Sequence, residues 1–187
     1  SGWKASENSE SFQVAEGAIV CRGPRSHLFF TGKEGNASFK NFDFTAEVLT
    51  TPGSNSGIYF HTRFQQTGFP NTGYEAQVLN SNRDPGNPRA ERKMTGSLYA
   101  IRNCWRAPAK DGEWFRYRIR VEGRTIRIWI NDAMAVDYTE PPNPCRPERL
   151  RDRRLTEGTF ALQCHDPGSV VRYRNLRVRC LADDAGS

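Results

Sequence analysis

Long apolar runs are absent from this 187-residue sequence. Nothing in it approaches the roughly 18 consecutive apolar residues that a membrane-spanning helix needs, and hydrophobic residues make up only 36% of the chain. The N-terminal stretch SGWKASENSESF also lacks the apolar segment of a signal peptide. We therefore expect no membrane span.

Cysteine motifs for metal or redox chemistry are absent too. The five cysteines stand at positions 21, 104, 145, 164 and 180, and none of them forms a C-x-x-C pair, so neither a zinc ribbon nor a thioredoxin-type site is indicated. The odd count leaves at least one free thiol. Cys164 falls on an apolar strand face, where we expect it to be buried and inert. One or two disulfides are compatible with an exported protein.

Acidic residues are fewer than basic ones, 21 against 27, which gives a net charge of +6 and a pI near 9.3. Such a balance can indicate binding to nucleic acid or another anionic surface. The arginines, however, alternate along strand patterns, as at Arg116, Arg118 and Arg120, and no basic block contains interleaved aromatics. The one dense stretch, CRPERLRDRR at 145–154, also holds acidic residues and is predicted to be a loop or short helix. We expect solvated sheet faces and no nucleic-acid partner.

The sequence does contain many short strand patterns, separated by Gly, Pro and Asn clusters, and it has no convincing amphipathic helix pattern. The patterns span 12–22, 42–50, 58–64, 73–79, 96–101, 113–121, 125–131, 134–138, 159–166 and 169–181. Glu16-Gly17 and Gly123-Arg124 indicate hairpin turns, and a slip of apolar parity near Arg174-Asn175 indicates a β-bulge. We predict an all-β, antiparallel two-sheet sandwich in a single domain covering residues 1–187.

Three long loops, at 64–72, 80–95 and 139–157, are the remaining segments of note. Loops of that length on a rigid scaffold often carry function. These loops are therefore candidates for a functional role.

The stretch TGYEAQVLN has an unusual polar face for a strand. Tyr74, Ala76 and Val78 form its apolar side, while Glu75 and Gln77 lie on the other side. Glutamate is mildly disfavoured in strands, so this face is a candidate for lining a site.

Several other strands carry hydrogen-bonding groups opposite their apolar faces. These are Glu47 on 42–50; Tyr59, His61 and Arg63 on 58–64; and Gln163 and His165 on 159–166. If the strands are neighbours, their faces merge into a surface rich in donors and acceptors, which suits a polyhydroxylated ligand. Tyr59, Tyr99 and Trp105 are available to stack on a sugar ring. The alternative, cross-strand ion pairs on an ordinary wet sheet, stays open.

Five motifs occur in order along the chain, and together they resemble those of the 3-keto-disaccharide hydrolase family. They are NSGIYFHTRF, TGYEAQVLN, TGSLYAI, GEWFRYRIRVEGRTIRIWIND and GTFALQCHDPGSVVRYRNLRV, and the opening GWK and FQVAEGAIV are similar to the family's N-terminal segment. The resemblance implies a concanavalin A-like jelly roll whose concave sheet holds the site. It also implies activity on glycosides oxidised at C3, in an exported bacterial protein, periplasmic or extracellular, whose leader is not part of this chain.

A 3-keto sugar opens a route that needs one base instead of two carboxylates. The ketone acidifies the C2 proton, a base removes it, the enolate expels the C1 substituent, and water adds afterwards. We expect Glu75 or His165 to be the catalytic base, and Arg63 or His61 to stabilise the enolate oxygen. Gln77 and Gln163 are expected to position hydroxyls. A pair of carboxylates, Glu47 with Glu75, is the ordinary glycosidase alternative.

Two other possibilities remain open at this stage. Two His and a Glu resemble a metal-binding triad, but they come from separate strands without a ligand-spacing motif, so we expect no metal or other cofactor. A non-catalytic, lectin-like carbohydrate-binding module is the competing function, because the same fold serves both roles. The sequence does not reveal the oligomeric state.

Overall fold

Two antiparallel β-sheets, stacked face to face, are seen in the computed structural model, which describes residues 2–183. The strands in chain order are β1 Trp3–Ala5, β2 Phe12–Ala15, β3 Ala18–Arg22, β4 Ser26–Phe30, β5 Phe42–Thr50, β6 Ser56–Thr62, β7 Tyr74–Val78, β8 Phe115–Glu122, β9 Thr125–Ile130, β10 Ala133–Thr139, β11 Thr159–Cys164 and β12 Val170–Cys180. A five-stranded sheet has the order β1-β4-β11-β6-β7, and a seven-stranded sheet has the order β10-β9-β8-β5-β12-β3-β2. The predicted two-sheet antiparallel sandwich is confirmed.

Helix is limited to short 3-10 turns in the part of the chain that the structure describes. They span Ser9–Ser11 and Glu148–Leu150, and the second confirms a short helix within the basic stretch 145–154. No helix among residues 2–183 has the length and apolar character to cross a membrane.

The core lies between the sheets, where period-2 alternation places the large apolar side chains. On β5, Phe42, Phe44, Ala46 and Val48 are almost completely buried, while the residues that alternate with them face outward. They pack with the inward face of the five-stranded sheet, which includes Ile58 and Tyr74. Because burial of each such side chain contributes roughly 1.5–3 kcal/mol, this alternation fixes which face of every strand remains for a site.

The predicted turns and the bulge are confirmed by backbone angles. Glu16 and Gly17 have φ of 53° and 70°, and they join β2 to β3 as the paired positive angles of a type I′ hairpin require. Asn175 has φ of 53°, and the register of β12 against β5 shifts between Arg174 and Arg177. The extra residue in β12 explains the slip of apolar parity.

Two features of the fold differ from the sequence prediction. The pattern at 96–101 forms no strand: Leu98 makes isolated bridges to Ala76 and Arg102, and Ala100 turns the chain with φ of 62°. Strands β1 and β4 were not predicted. In β4 the polar residues Ser26 and His27 are fully buried, so the strand lacks an apolar alternation that the sequence would show.

All five cysteines are free thiols. Cys164 is buried as predicted, and Cys21 is buried within the same core. Burial raises the pKa of the Cys164 thiol to about 11, which keeps it protonated and unreactive at neutral pH.

Candidate functional site

A pocket of about 310 Å³ opens on the outer face of the five-stranded sheet, the face turned away from the core. Six of the residues predicted for the site line it, namely Tyr59, Glu75, Gln77, Tyr99, Gln163 and His165. The three long loops also border it: 64–72 contributes Phe69, 80–95 contributes Glu91, and 139–157 contributes Arg149, Leu150 and Arg153. The structure therefore brings distant segments together at one hollow.

Strand register explains why these side chains meet. Strands β11, β6 and β7 are adjacent, Ala161 pairs with Tyr59, and Tyr59 pairs with Glu75. Since alternate residues point to opposite faces of a sheet, the burial of Ala76 in the core directs Glu75 and Gln77 outward. The polar face of TGYEAQVLN is thus a pocket wall.

Gly57 provides the space that the Glu75 carboxyl group occupies. A Cβ atom on Gly57 would lie 2.5 Å from Glu75 Oε1 and 2.9 Å from its Cγ, closer than real Cβ contacts. The cross-strand neighbour of Gly57 is Gln77, so the missing side chain leaves room between two residues that line the pocket. Sequence reasoning missed this glycine, because its importance depends on a contact between strands.

Glu75 is buried, with 7% of its surface exposed. Burial raises the pKa of this carboxyl group to about 7 from an ordinary value of 4.5, although the charge of Arg153 and hydrogen bonding with Tyr59 and Gln163 act in the opposite direction. A carboxyl group that exchanges its proton near neutral pH is suited to general acid–base catalysis. It is also the kind of perturbed group that marks functional sites.

Buried amides surround this carboxyl group. Gln163 Nε2 lies 3.1 Å from the Tyr59 hydroxyl, 3.3 Å from Glu75 Oε1 and 3.4 Å from His27 Nε2. Gln163 Oε1 is buried without a protein partner, and a buried acceptor without a donor costs about 1–3 kcal/mol. Gln77 Nε2 donates to Asn55 Oδ1 at 3.1 Å. The pocket therefore offers oriented amide groups to a ligand with hydroxyls.

Arg153 is the buried arginine of the pocket, and it was not among the predicted site residues. It is 8% exposed, and its Nη1 lies 3.4 Å from the carbonyl oxygens of both Thr72 and Gly73. Its guanidinium carbon is 5.4 Å from the centre of the Tyr59 ring. The only sequence signal was the density of basic residues at 145–154, which does not show which arginine faces a site.

The loop that carries Arg153 is anchored to the core by a polar cluster. Tyr74 donates a hydrogen bond to the Glu140 carboxylate, and Arg146 Nη2 donates to the hydroxyls of Tyr74 at 3.1 Å and Tyr138 at 2.7 Å. The Leu155 backbone N–H donates to Glu140 Oε2 at 3.1 Å. Because Tyr74 directly precedes Glu75, this cluster fixes the loop relative to the strand of the buried carboxyl group.

A second carboxylate, Glu91, also lines the pocket but already has partners. It accepts hydrogen bonds from Lys93 Nζ at 2.7 Å and from the Tyr99 hydroxyl at 3.0 Å. Its partial burial would raise its pKa, but hydrogen bonds from Lys93 and Tyr99 bring the pKa below its ordinary value. Glu91 is therefore held as an anion.

Glu47 does not belong to this pocket, so the pairing with Glu75 is wrong. It lies on β5 of the seven-stranded sheet, where Arg174 Nε donates to it at 2.6 Å and Asn175 Nδ2 at 3.0 Å. Its outward face is the opposite side of the sandwich. The prediction assumed neighbouring strands, and strand adjacency is a property of topology that period-2 patterns do not contain.

His61 was also expected on the polar face, and that expectation is wrong. The backbone of His61 has φ of 54°, and the register of β11 against β6 shifts between Thr159 and Ala161, which gives β6 an extra residue. This bulge turns the ring toward Phe42, with centroids 5.6 Å apart. Its Nε2 lies 2.8 Å from the Lys40 carbonyl oxygen. Burial lowers the pKa of His61 to about 4, so it is neutral at pH 7.

Arg63 and Trp105 lie outside the pocket as well. Arg63 follows the end of β6 and lines a different surface hollow with Phe29 and Phe64. Trp105 is 73% exposed, and it lies in the segment that follows 96–101, the predicted strand that does not form. Neither position is fixed by strand alternation, which is why the sequence pattern misplaced both.

His, Cys, Asp and Glu are the side chains that most often hold metal ions in proteins. No group of three or more His, Cys, Asp or Glu side chains among residues 2–183 has an arrangement for holding a metal ion.

The unusual pKa of Glu75 predicts a specific dependence of stability on pH. In the unfolded chain the group loses its proton near pH 4.5, and in the folded protein near pH 7. Between these values the folded state binds more protons, so the free energy of unfolding falls as pH rises. Relative to Glu75→Gln, which cannot titrate, the wild type should lose about 3 kcal/mol between pH 4 and pH 8. Urea unfolding of both proteins at each pH measures this difference.

Glu47→Gln is the matched control, and its pH effect should have the opposite sign. Hydrogen bonds from Arg174 and Asn175 lower the pKa of Glu47, so its stabilising contribution is present above the unfolded-state pKa and lost in acid. If the free energy of unfolding of the wild type changed with pH in parallel with that of Glu75→Gln, Glu75 would titrate as it does in water.

Comparison with solved structures identifies similar folds. A candidate glycosyl hydrolase from Parabacteroides distasonis ATCC 8503 aligns with a TM-score of 0.77 at 20% identity, covering 97% of this chain and 89% of that one. The carbohydrate-binding module CBM66 from Bacillus subtilis aligns with a TM-score of 0.64 at 12% identity, covering 96% of both chains. The metal-free exoplasmic domain of VIP36 aligns with a TM-score of 0.65 at 10% identity, covering 98% and 86%. These likenesses establish the jelly-roll fold.

Comparison by sequence gives a more specific result. No curated protein matches the chain. A family model, described as the 3-keto-alpha-glucoside-1,2-lyase-like domain, matches residues 1–179. This match spans nearly the whole chain, and it agrees with the resemblance carried by the five motifs. The chain therefore belongs to the 3-keto-alpha-glucoside-1,2-lyase-like domain family.

Proposed function

We propose that the pocket around Glu75 cleaves glycosides whose sugar carries a ketone at C3, by removal of the C2 proton and elimination of the C1 substituent. The observation that carries this proposal is a single buried carboxyl group with a pKa of about 7, set among oriented amides and beside a guanidinium group. Family membership supports the substrate class.

The reaction balances without an added oxidant or reductant. Glu75 takes the proton from C2, and the ketone oxygen on C3 becomes the enolate oxygen. The electrons of the C2–H bond then form the C1=C2 double bond as the C1–O bond breaks, and the departing oxygen takes a proton from an acid. Addition of water, with its oxygen to C1 and a proton to C2, completes a net hydrolysis.

One free base fits this pocket better than a pair of carboxylates. Ordinary glycosidases need two carboxyl groups about 5–9.5 Å apart, both available to the substrate. Glu91 is the other carboxylate of the pocket, and it is engaged by Lys93 and Tyr99. Glu47, the second candidate, lies on the other sheet. Elimination next to a ketone requires only the one base that the pocket provides.

The other pocket residues supply the remaining roles. Arg153 and the Tyr59 hydroxyl are the charged and polar donors available to a developing enolate oxygen. In this role Arg153 replaces Arg63 and His61. His165 is the acid for the departing oxygen. Gln163, whose Oε1 is unpaired, and Gln77 accept hydrogen bonds from the substrate hydroxyls through their amide oxygens and donate to them through their amide N–H groups.

A carbohydrate-binding module without catalysis is the second candidate function. It is favoured by the similarity of the fold to CBM66. Binding modules often present exposed aromatic rings, however, and the most exposed large ring here, Trp105, lies outside the pocket. Titratable groups dominate the pocket instead, which favours an enzyme.

Incubation with a 3-keto-glucoside in D₂O tests the proposal directly. We expect release of the aglycone and incorporation of deuterium at C2 of the sugar product, with no cleavage of the corresponding glucoside that lacks the ketone. Equal cleavage of both glycosides would indicate an ordinary glycosidase. Saturable binding without release or exchange would indicate the carbohydrate-binding module.

A further inference from the structure

His165 is held by the residue that follows it in the chain. Asp166 Oδ2 lies 2.9 Å from His165 Nδ1 and accepts the Ser169 hydroxyl at 2.9 Å. The other carboxylate oxygen, Oδ1, accepts the Gly168 backbone N–H at 2.9 Å and Arg83 Nη2 at 2.6 Å. Four donors therefore fix the orientation of this carboxylate.

Two local features of the sequence create this arrangement: the turn that begins at Asp166 and the glycines that lie beside Arg83. The Asp166-Pro167-Gly168 turn begins just after β11 ends, and in turns of this composition the backbone N–H two residues on often donates to the Asp side chain. Arg83 fits beside the turn because two neighbours have no side chain. A Cβ on Gly53 would lie 2.3 Å from Arg83 Cγ, and one on Gly168 would lie 2.7 Å from Arg83 Cζ.

The charge of Asp166 determines which nitrogen of His165 carries the proton. Partial burial would raise the pKa of Asp166, but hydrogen bonds from Arg83, His165 and Ser169 bring it to about 2. An ionised carboxylate can only accept hydrogen bonds. The proton between the two groups therefore resides on Nδ1, and Nε2 is the nitrogen available to the pocket.

We propose that Asp166 is a positioning residue that keeps a proton on His165 Nδ1, so that Nε2 gives its proton to the departing oxygen and regains one from the water that then adds to C1. Arg83 keeps Asp166 in place and connects the loop 80–95 to this ring. The effect on rate rests on the proposed function, whereas the effect on the imidazole tautomer does not. The competing interpretation is that Asp166 and Arg83 only attach the loop to the end of the sheet.

The tautomer can be observed without any substrate. The chain has three histidines, so two-bond ¹⁵N–¹H correlation spectra of the wild type and His165→Asn assign the His165 ring. At a pH where the ring is neutral, we expect the Nδ1–H form in the wild type. In Asp166→Asn the amide can donate to Nδ1, so the Nε2–H form should gain population. A wild-type ring in the Nε2–H form, or no change in Asp166→Asn, would overturn the proposal.

Kinetics with two leaving groups separates positioning from simple attachment. General acid catalysis matters for a poor leaving group and little for a good one, so Asp166→Asn should lower kcat for a methyl 3-keto-glucoside by about 10²-fold. For the 4-nitrophenyl 3-keto-glucoside kcat should fall far less, and KM should change little for both substrates. Arg83→Met should lower kcat for the two substrates in the same pattern but by smaller factors, since Asp166 keeps three of its donors.

Asp137→Asn is the control, because it removes an Asp–Arg pair of 3.1 Å on the seven-stranded sheet. It should leave both rates unchanged. Equal losses for the two leaving groups in Asp166→Asn, with a lowered melting temperature, would support attachment and reject positioning. If the tautomers behave as expected but neither 3-keto-glucoside is cleaved by the wild type, the proposed function fails and the structural role of Asp166 stands.

Discussion

Replacing Glu75 with Gln is expected to lower kcat/KM for a 3-keto-glucoside by about 10²–10⁴-fold, the usual contribution of a placed general base. The change keeps the size of the side chain and one acceptor oxygen, and it removes the ability to accept the C2 proton. Exchange of the C2 proton with D₂O should fall by the same factor as aglycone release. Steady-state kinetics and NMR of the product measure the two effects.

The pH profile gives an independent check on the same residue. Because the carboxylate form is the base and its pKa is about 7, kcat/KM of the wild type should rise from mild acid to neutral pH, with this rise centred near pH 7. Glu47→Gln, on the opposite sheet, should show wild-type rates and the same profile. Full activity in Glu75→Gln, or an acid-shifted profile typical of exposed Glu, would remove Glu75 from the mechanism.

Replacing Arg153 with Met is expected to lower kcat by about 10²–10³-fold, the range for loss of one donor to a developing oxyanion. The effect should fall mainly on kcat, because the enolate charge exists only after the proton leaves C2. The charge of Arg153 also lowers the pKa of Glu75, so its removal should shift the pH profile of the variant toward alkali. Arg153→Lys, which retains the charge without the planar fork, should be intermediate.

Arg63→Met is the matched control for this substitution. Arg63 is exposed and lines a different hollow, so its loss should leave kcat and the pH profile unchanged. Melting temperatures of all variants are needed, because Arg153 Nη1 also lies near two backbone carbonyl oxygens. Rate losses that follow the melting temperature and leave the pH profile unchanged would show that Arg153 only holds its loop.

Much of the fold was predictable because local patterns determine local structure. Alternation on 42–50 predicted β5 and its inward face, and Glu16-Gly17 predicted a hairpin. The slip in apolar alternation predicted the bulge at Asn175. Strand β4 was not predictable in the same way. Its buried His27 and Ser26 are stabilised by contacts with other segments, such as the hydrogen bond between Ser6 and the backbone of His27.

The site was predictable only where it depended on one strand at a time. The polar face of β7 and the outward Gln163 of β11 follow from alternation, and both lie in the pocket. His61 was misplaced by a bulge, and Glu47 by the assumption that its strand was a neighbour. Arg153 was missed because loops have no periodicity from which a facing direction can be read.

The sequence by itself determined the β-class of the fold, the inward and outward faces of most strands, and, through its motifs, the family. The tertiary structure decided which outward faces share one sheet, which glycine admits the Glu75 carboxyl group, and which arginine faces it. The physical reason is that side-chain direction in a strand is set by the backbone within a few residues. Strand order, close contacts and burial, by contrast, arise from packing between segments far apart in the chain, and burial is what raises the pKa of Glu75 to about 7.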